Sequence, residues 1–177
     1  QEAQRLIVLV EDIIKLSRLD EQGEISTLEK EPVDLYLTAR EVVAWLGEKA
    51  KNLEVSITLE GQHAVVNGAK QILSEMIYNI CDNAIKYNHP GGTVEVFIHP
   101  EEKGTALIVR DNGMGIPEHE QERVFERFYR VDKSHSKQVG GTGLGLAIVK
   151  YGAKYHEANV ELTSQLGKGT TVRVLFP

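Results

Sequence analysis

The feature that most constrains how this chain folds is a long amphipathic segment, Ala69 to Tyr87, followed by the helix stop Asn88-His-Pro-Gly-Gly. At about 100° per residue, its apolar side chains fall on one side of a helix. That side must be buried against a core, so the segment predicts a helix packed on other elements. The apolar positions are Leu73, Met76, Ile77, Ile80 and Ala84.

The opposite side of this helix carries Glu75, Asn79, Asn83 and Lys86. Carboxamide oxygens bind hard cations such as Mg²⁺, a lysine supplies charge to phosphate oxygens, and a glutamate polarises an incoming nucleophile. An ordinary solvated face has the same residue types, and Asp82 falls among them with nothing to separate it. The helix alone therefore leaves both interpretations open.

The segments around this helix predict an α/β fold. Helices and hairpins are mixed rather than strictly alternating, so we expect one sheet of about five strands with three helices on one face, preceded by one amphipathic helix. A helix over Thr38 to Lys51 is expected to place Trp45 and Leu46 on its inner face. The other predictions are strands at 33–35, 53–59, 64–67, 93–99, 105–110, 160–164 and 170–176, a short helical piece near 118–128, and a helix at 144–156.

Residues 1–28 are predicted to form a helix and linker, and residues 29–177 the main domain. The helix, Arg5 to Leu19, has a broad apolar face that needs a partner, which is a second helix, another copy of the chain, or its own domain. The chain starts at Gln1 inside this pattern, as expected of a piece cut from a longer protein. Its longest apolar run, Leu6 to Val10, is far shorter than the roughly 20 residues that cross a bilayer.

Charge and cysteine content narrow the class of partners. The formal net charge of −6 argues against nucleic acid, whose phosphates are held by basic surfaces. A nucleotide needs only a few local donors and stays possible by this criterion. The single cysteine, Cys81, has no partner for an internal disulfide, which favours a reducing cytoplasm.

A first glycine cluster, Asp111-Asn-Gly-Met-Gly-Ile116, directly follows a predicted strand. Its two glycines allow the backbone to approach a flat ligand closely. Asp111 is an acceptor suited to the exocyclic amino group of adenine. A plain Asp-Asn-Gly turn is the alternative, although such a turn does not need the second glycine.

A second cluster, Gly140-Gly-Thr-Gly-Leu-Gly-Leu146, runs into the predicted helix at 144–156. Backbone N–H groups at a helix N-terminus bind phosphates, whereas many mobile turns also use glycine. The cluster lacks the Gly-Lys-Ser/Thr ending of a P-loop and follows no first strand, which excludes a Walker site and disfavours a dinucleotide-binding turn.

Phe125-Glu-Arg-Phe-Tyr-Arg130 lies between the two glycine clusters. The two phenylalanines, three residues apart, are typical of a hydrophobic anchor. Arg130, Lys133 and Lys137 then follow in a segment with little apolar content. Such a basic segment suits a lid over phosphates, and a disordered surface loop is the alternative.

Taken in order, these motifs resemble the catalytic ATP-binding domain of bacterial sensor histidine kinases, within the group that includes type II topoisomerase, Hsp90-type chaperone and mismatch-repair ATPases. The resemblance covers nearly everything after Pro32. The matching motifs are Glu75-x-x-x-Asn79-x-x-x-Asn83-x-x-Lys86-Tyr87, Asp111-x-Gly113-x-Gly115-Ile116, Phe125-x-x-Phe128, Gly141-x-Gly143-x-Gly145-Leu146 and Gly167-x-Gly169-Thr170.

The resemblance implies an α/β two-layer sandwich, with a mixed sheet of about five strands against three helices. It also implies ATP and Mg²⁺ as cofactors and assigns roles to single residues. Asn79 is expected to hold Mg²⁺, Asn83 and Lys86 to serve the phosphates, and Glu75 to assist phosphotransfer. Asp111 is expected to bind the adenine amine. The remaining residues expected at the ATP site are Tyr87, Gly113, Gly115, Ile116, Tyr129, Arg130, Gly141, Thr142, Gly143, Leu144, Gly145, Leu146 and Thr170.

The same resemblance makes the Arg5 to Leu19 segment the second helix of a dimerisation hairpin. The first helix, which bears the acceptor histidine, has no counterpart, since none of the six histidines has the expected setting. We therefore expect phosphotransfer to a histidine outside this chain and then to a response regulator. A homodimer of the full-length protein and a cytoplasmic location, with or without a membrane anchor, are also implied.

Two other functions compete with this interpretation. One is a related ATPase or serine-kinase module, against which the phenylalanine motif and the Gly-Thr-Gly-Leu-Gly-Leu stretch argue. The other is a non-catalytic nucleotide-sensing module with a degenerate site. The presence of Glu75, Asn79, Asn83 and Asp111 together argues against it.

Overall fold

The computed structural model describes residues 28–131 and 142–177. In these ranges the chain forms seven strands, three α-helices and two short 3₁₀ helices. The strands are β1 (Glu31–Asp34), β2 (Ser56–Gly61), β3 (Val65–Gly68), β4 (Thr93–Glu101), β5 (Gly104–Asp111), β6 (Asn159–Gln165) and β7 (Gly169–Phe176). The helices are α1 (Leu35–Asn52), α2 (Lys70–Lys86) and α3 (Gly145–Tyr155), with 3₁₀ turns at Glu118–Glu120 and Arg123–Phe125.

Five of the strands form the main sheet, in the order β2-β4-β5-β7-β6. β2 runs parallel to β4, and the other neighbours are antiparallel, so the sheet is mixed. β1 and β3 pair separately as a small antiparallel sheet. The predicted α/β sandwich with a mixed five-stranded sheet is therefore confirmed, and the small sheet is an addition to it.

The sheet buries one face in regular cross-strand rows. One row runs through Val96, Val109, Val172 and Leu162, and the strand pairing places these four side chains on the same face. These residues belong to or pack against the hydrophobic core, together with the apolar sides of α1, α2 and α3. Alternation with a period of two along each strand is what directs these residues towards the helices.

Helix α2 contacts both α1 and α3 and is the middle helix of the layer. Its apolar side is fully buried, as its periodicity predicts. Asp34 is the N-cap of α1: its carboxylate accepts a hydrogen bond of 3.0 Å from the Leu37 N–H. An ion pair of 3.0 Å between Lys70 and Glu41 joins the exposed edges of α1 and α2.

Three local predictions were wrong. Leu46 is buried, but its neighbour Trp45 is 66% exposed, because adjacent residues lie about 100° apart around a helix and only Leu46 falls on the buried stripe. Leu53 is the C-cap of α1 rather than a strand residue, and β2 begins only after Glu54 turns the chain with a left-handed φ of 56°. The helical piece near 118–128 is two separate 3₁₀ turns.

The predicted helix Arg5 to Leu19 lies outside the described residues, so the division at residue 28 stays a prediction. The first described residues do contact the domain, since the Tyr155 hydroxyl donates to the Leu28 carbonyl at 2.7 Å. None of the helices in the two described ranges is both long enough and apolar enough to cross a membrane.

Candidate nucleotide site

The core face of the sheet becomes polar at one end. The last row along this face consists of Val94, Asp111, Thr170 and Ser164, one from each of four neighbouring strands. The next row contains only apolar side chains. The helix layer therefore meets the sheet at its polar end, where the predicted residues Asp111 and Thr170 lie side by side.

Asp111 is held by two backbone N–H groups on one oxygen. Its Oδ1 accepts from Gly113 N at 2.8 Å and from Thr170 N at 3.2 Å. Burial raises the pKa of Asp111, and these two hydrogen bonds act in the opposite direction. Both described contacts end on Oδ1, so Oδ2 remains an acceptor able to receive the amino group of a ligand.

The loop from Asp111 to Ile116 passes between the end of α2 and the β6–β7 turn. Met114 N donates to Tyr87 O at 3.0 Å, and Gly167 N donates to Met114 O at 2.7 Å. A Cβ on Gly113 would lie 2.4 Å from Tyr87 O, and one on Gly115 would lie 2.1 Å from Gln165 O. Both glycines are required by close backbone approach, which argues against a plain Asp-Asn-Gly turn.

The β6–β7 turn closes the same wall. Gly169 has a left-handed φ of 116°, and a Cβ there would lie 2.0 Å from Asp111 O. Only glycine fits at this position. The residue that follows, Thr170, is thereby brought against the Asp111 carboxylate.

The polar side of α2 forms a second wall. Asn79 Nδ2 donates to Glu75 O in its own helix at 2.8 Å, which directs Asn79 Oδ1 away from the helix backbone. Gly145, the first residue of α3, faces this carboxamide: a Cβ on Gly145 would lie 3.0 Å from Asn79 Oδ1 and 3.6 Å from Asn83 Nδ2. The second glycine cluster and the α2 motif are therefore in contact.

The N-terminus of α3 contributes backbone donors to this region. Its N-cap residue, Leu144, makes no side-chain capping hydrogen bond within the described residues. The first N–H groups of a helix lack partners in the helix, and they carry the positive end of its dipole. This end of α3 is therefore suited to phosphate groups.

The remaining predicted site residues differ in their burial and in their contacts. Phe128 N donates to Gly143 O at 2.9 Å, and Arg123 lies over the Tyr129 ring at 4.1 Å, so the phenylalanine motif and the second glycine cluster meet. Arg130, Thr142, Leu146 and Ile116 are half-buried. Leu144 is fully buried, and only its backbone is able to reach a ligand. Gly141, Lys133 and Lys137 lie outside the described residues.

Asp82 differs from the other polar residues of α2 because it is buried in an ion-pair cluster. It is 5% exposed and forms ion pairs with Lys49 of α1 and, at 2.5 Å, with Lys86 Nζ. Lys86, which was expected to serve the phosphates, is thus anchored by a buried carboxylate at the helix end. The sequence gives no signal for the Lys49 contact, because it joins two helices.

Other residues at the site were missed by the sequence analysis. Asn112 Oδ1 accepts from Thr93 N at 2.7 Å, and Asn88 Nδ2 donates to Thr93 O at 3.0 Å, so the start of the Asp111 loop and the segment after α2 are both tied to the start of β4. Ser164 pairs with Thr170 across β6 and β7. The hairpin predicted around Gly167 to Gly169 could have indicated Ser164, since the register of such a hairpin places Ser164 opposite Thr170.

The donor set fits a magnesium ion that is bound jointly with phosphates. Among the described residues no cluster of three or more histidine, cysteine or acidic side chains is able to hold a metal alone. Asn79 Oδ1, by contrast, is a single oriented oxygen atom beside the N-terminus of α3. Mg²⁺ is commonly held by one or two protein oxygens together with substrate phosphates and water.

The two walls are separated by a length that suits a nucleoside triphosphate. Tyr87, beside the Asp111 loop, and Asn79 lie two turns apart on one helix, which corresponds to about 12 Å along its axis. A base at Asp111 and a terminal phosphate at Asn79 would span this distance.

Comparison with known proteins agrees with this geometry. Residues 68–177 match the family described as histidine kinase-, DNA gyrase B-, and HSP90-like ATPase. The chain is 38% identical over 177 residues to the sensor-like histidine kinase SenX3 of Mycolicibacterium smegmatis, covering 99% of this chain and 46% of that protein. It is 33% identical over 178 residues to the sensor histidine kinase WalK of Bacillus subtilis, covering 99% and 29%. The chain thus spans less than half the length of these relatives.

Solved structures show the same relationship. Full-length ShkA in complex with AMPPNP matches with a TM-score of 0.83 and 25% identity, covering 97% of this chain and 35% of that one. The mycobacterial sensor histidine kinase MprB matches with a TM-score of 0.73 and 29% identity, covering 84% and 97%. The chain belongs to the histidine kinase-, DNA gyrase B- and HSP90-like ATPase family, as an ATP-binding catalytic domain of the two-component sensor kinase type.

Proposed function

We propose that this chain binds Mg²⁺–ATP between the Asp111 loop and the polar side of α2 and transfers the γ-phosphate to a histidine on a separate dimerisation helix. The contact of Gly145 with Asn79 and Asn83 carries the proposal, because it places helix N-terminal donors beside oriented carboxamides.

Each residue has a role in binding or positioning. Asp111 Oδ2 accepts the adenine amine, Thr170 supports it, and Gly113, Gly115, Ile116 and Tyr87 shape the surface against the base. Asn79 would hold Mg²⁺, which would supply charge neutralisation at the phosphates, while Asn83 and Lys86 bind phosphate oxygens. The N-terminus of α3, from Thr142 through Leu146, and Gly141, Tyr129 and Arg130 surround the triphosphate.

The chemical step is a displacement at the γ-phosphorus. A histidine ring nitrogen attacks phosphorus, the bond to the bridging oxygen breaks, and ADP leaves with that electron pair. Glu75 polarises the incoming ring by accepting from its other N–H. The enzyme acts mainly by alignment and charge neutralisation.

The whole protein is proposed to pass the phosphate on to an aspartate of a response regulator, to act as a homodimer, and to place this domain in the cytoplasm. These proposals are supported by the similarity of the chain to sensor histidine kinases.

The test is phosphotransfer in trans. The chain is mixed with γ-labelled ATP, Mg²⁺ and a separately produced dimerisation hairpin that bears the acceptor histidine. We expect acid-labile label on the hairpin, and a loss of at least 100-fold in the Asn79→Ala variant, since removal of a key electrostatic contact costs about this much.

Asn159→Ala is the matched control, because Asn159 is exposed on β6 and its side chain is hydrogen-bonded to Glu161, away from the candidate site. Unlabelled hairpin with wild-type protein that does bind ATP would contradict the kinase proposal. Fast ATP hydrolysis without any histidine substrate would favour the related ATPase function instead.

A further inference from the structure

Ser164 lies at the centre of a hydrogen-bond cluster behind the base pocket. Its Oγ is 2.8 Å from Ile116 N, 2.9 Å from Gly169 O and 2.8 Å from Thr170 Oγ1. Through these contacts one side chain on β6 touches the Asp111 loop, the β6–β7 turn and Thr170. Ser164 has no role in the functional motifs described above.

The three contacts fix the direction of every proton in the cluster. Ile116 N–H only donates, so it donates to Ser164 Oγ, and Gly169 O only accepts, so it takes the single proton of Ser164. The Thr170 hydroxyl must then donate to Ser164. The reverse direction would leave Ser164 Oγ and Gly169 O 2.9 Å apart with no proton between them.

The hydroxyl of Thr170 is consequently an acceptor towards the pocket. Its proton is used on Ser164, and only lone pairs remain for a ligand or a bridging water. The backbone N–H of the same residue is used on Asp111 Oδ1. The polar end of the sheet therefore offers two acceptors to a base, Asp111 Oδ2 and Thr170 Oγ1.

We propose that Ser164 is a positioning residue that fixes the Thr170 hydroxyl as an acceptor, so that the pocket takes 6-aminopurines and rejects 6-oxopurines. The inference rests on the proposed function, namely that Asp111 contacts the base. An amino group donates two protons and suits two acceptors, whereas a carbonyl at the same position meets two lone-pair groups. Sites with fixed polar groups reject a mismatched ligand more strongly than apolar pockets do.

The backbone around Ser164 has support that is independent of its hydroxyl. Gln121 Nε2 donates to Ile116 O at 3.0 Å and to Ser164 O at 2.9 Å. These two hydrogen bonds join the Asp111 loop to β6 without using Ser164 Oγ. A Ser164→Ala chain is therefore expected to retain the loop position.

The experiment compares the affinities of the non-hydrolysable analogues of ATP and ITP, with Mg²⁺, by calorimetry. Wild type is expected to prefer the ATP analogue. In Ser164→Ala the Thr170 hydroxyl is free to rotate and donate to a 6-oxo group, so we expect the preference to fall by about tenfold, the value of one hydrogen bond. Ser164→Thr keeps the hydroxyl and should restore the wild-type ratio. Thr163→Ala, on the opposite face of β6, should leave it unchanged.

Thr170→Val gives a second variant, in which the acceptor is absent and the preference for the ATP analogue should also fall. A wild-type ratio in Ser164→Ala and Thr170→Val would overturn this inference and leave ATP binding standing. A wild-type chain that binds neither analogue would overturn the proposed function and this inference together.

Discussion

We propose that Asp111 makes the site selective for a donor on the base, because its Oδ1 is held by backbone N–H groups and its Oδ2 is not engaged by the described residues. In Asp111→Asn, Oδ1 is able to keep both backbone contacts, while an N–H donor replaces Oδ2. We expect ATP affinity to fall between about 10- and 100-fold, the range for a hydrogen bond to a charged group. Calorimetry measures this loss.

The fold of Asp111→Asn should be as stable as wild type or more so, since burial disfavours the ionised carboxyl, as its raised pKa indicates. Thermal unfolding checks this point. Glu95→Gln removes the same charge from β4 on the opposite face of the sheet and should leave ATP affinity unchanged. Equal losses in both variants would point to a general charge effect rather than to base recognition.

His156 is a buried residue whose ionisation affects stability rather than catalysis. Its Nε2 accepts from Ala69 N at 3.1 Å and its Nδ1 donates to Gly152 O at 2.7 Å, so the neutral ring joins α3 to the start of α2. Desolvation lowers the pKa of His156, and its hydrogen bond to Gly152 and the charge of Lys30 are smaller influences.

The unfolded chain takes up this proton at a higher pH, near 6.5, than the folded chain. The stabilisation from the neutral ring is therefore present above about pH 6.5 and is lost as the pH falls below it, by up to about 1.4 kcal/mol per pH unit. Chemical unfolding measures this slope at three pH values, one at about 6.5, the ordinary pKa of histidine, and one about a unit above and below it. A slope that is the same in His156→Gln as in wild type would contradict the assignment. His99→Gln, whose side chain is exposed on β4, serves as the control.

At the scale of elements, two helix glycines have opposite environments. A Cβ on Gly47 in α1 meets nothing within 4 Å, whereas a Cβ on Gly152 in α3 would lie 2.5 Å from Met76 Sδ of α2. Gly47→Ala should raise the free energy of unfolding by about 0.5–1 kcal/mol, because alanine loses less conformational entropy in a helix. Gly152→Ala should lower it by about 1–3 kcal/mol through overpacking. Urea denaturation measures both, and a shared sign would contradict the α2–α3 packing.

Periodicity predicted the elements that bury one side along their whole length. α2 and α3 were predicted to within one residue at each end, because an apolar stripe runs along the whole length of each helix. β2 was predicted three residues early, since apolar alternation continues through Leu53, the cap of α1. The prediction for Trp45 was wrong because a residue next to a buried leucine in a helix points in a different direction and need not be buried itself.

The site was predictable where its residues lie close together in sequence. Asp111, Gly113 and Gly115 share one loop, and Asn79 and Asn83 share one helix face. The Asp82–Lys49 pair and the Ser164 cluster bring together residues from different elements. No local pattern contains such contacts, because they depend on how helices and strands pack.

At the scale of the whole molecule, one ligand must occupy two places along α2, its C-terminal end and its middle. The base end lies at Tyr87 and the Asp111 loop, and the phosphate end at Asn79 beside the start of α3. Each half has a weaker explanation by itself, as a tight turn or as a solvated helix face. Their placement on one helix is what joins them into a nucleotide site.

Calorimetry with two ligands tests this claim most directly. ADP without Mg²⁺ reports mainly on the base end, and the Mg²⁺-bound ATP analogue reports on both ends. We predict that Asp111→Asn weakens both ligands, whereas Asn79→Ala weakens the ATP analogue at least tenfold and changes ADP affinity little. Asn79→Ala and Asp111→Asn variants that each bind both ligands as wild type does would contradict the account.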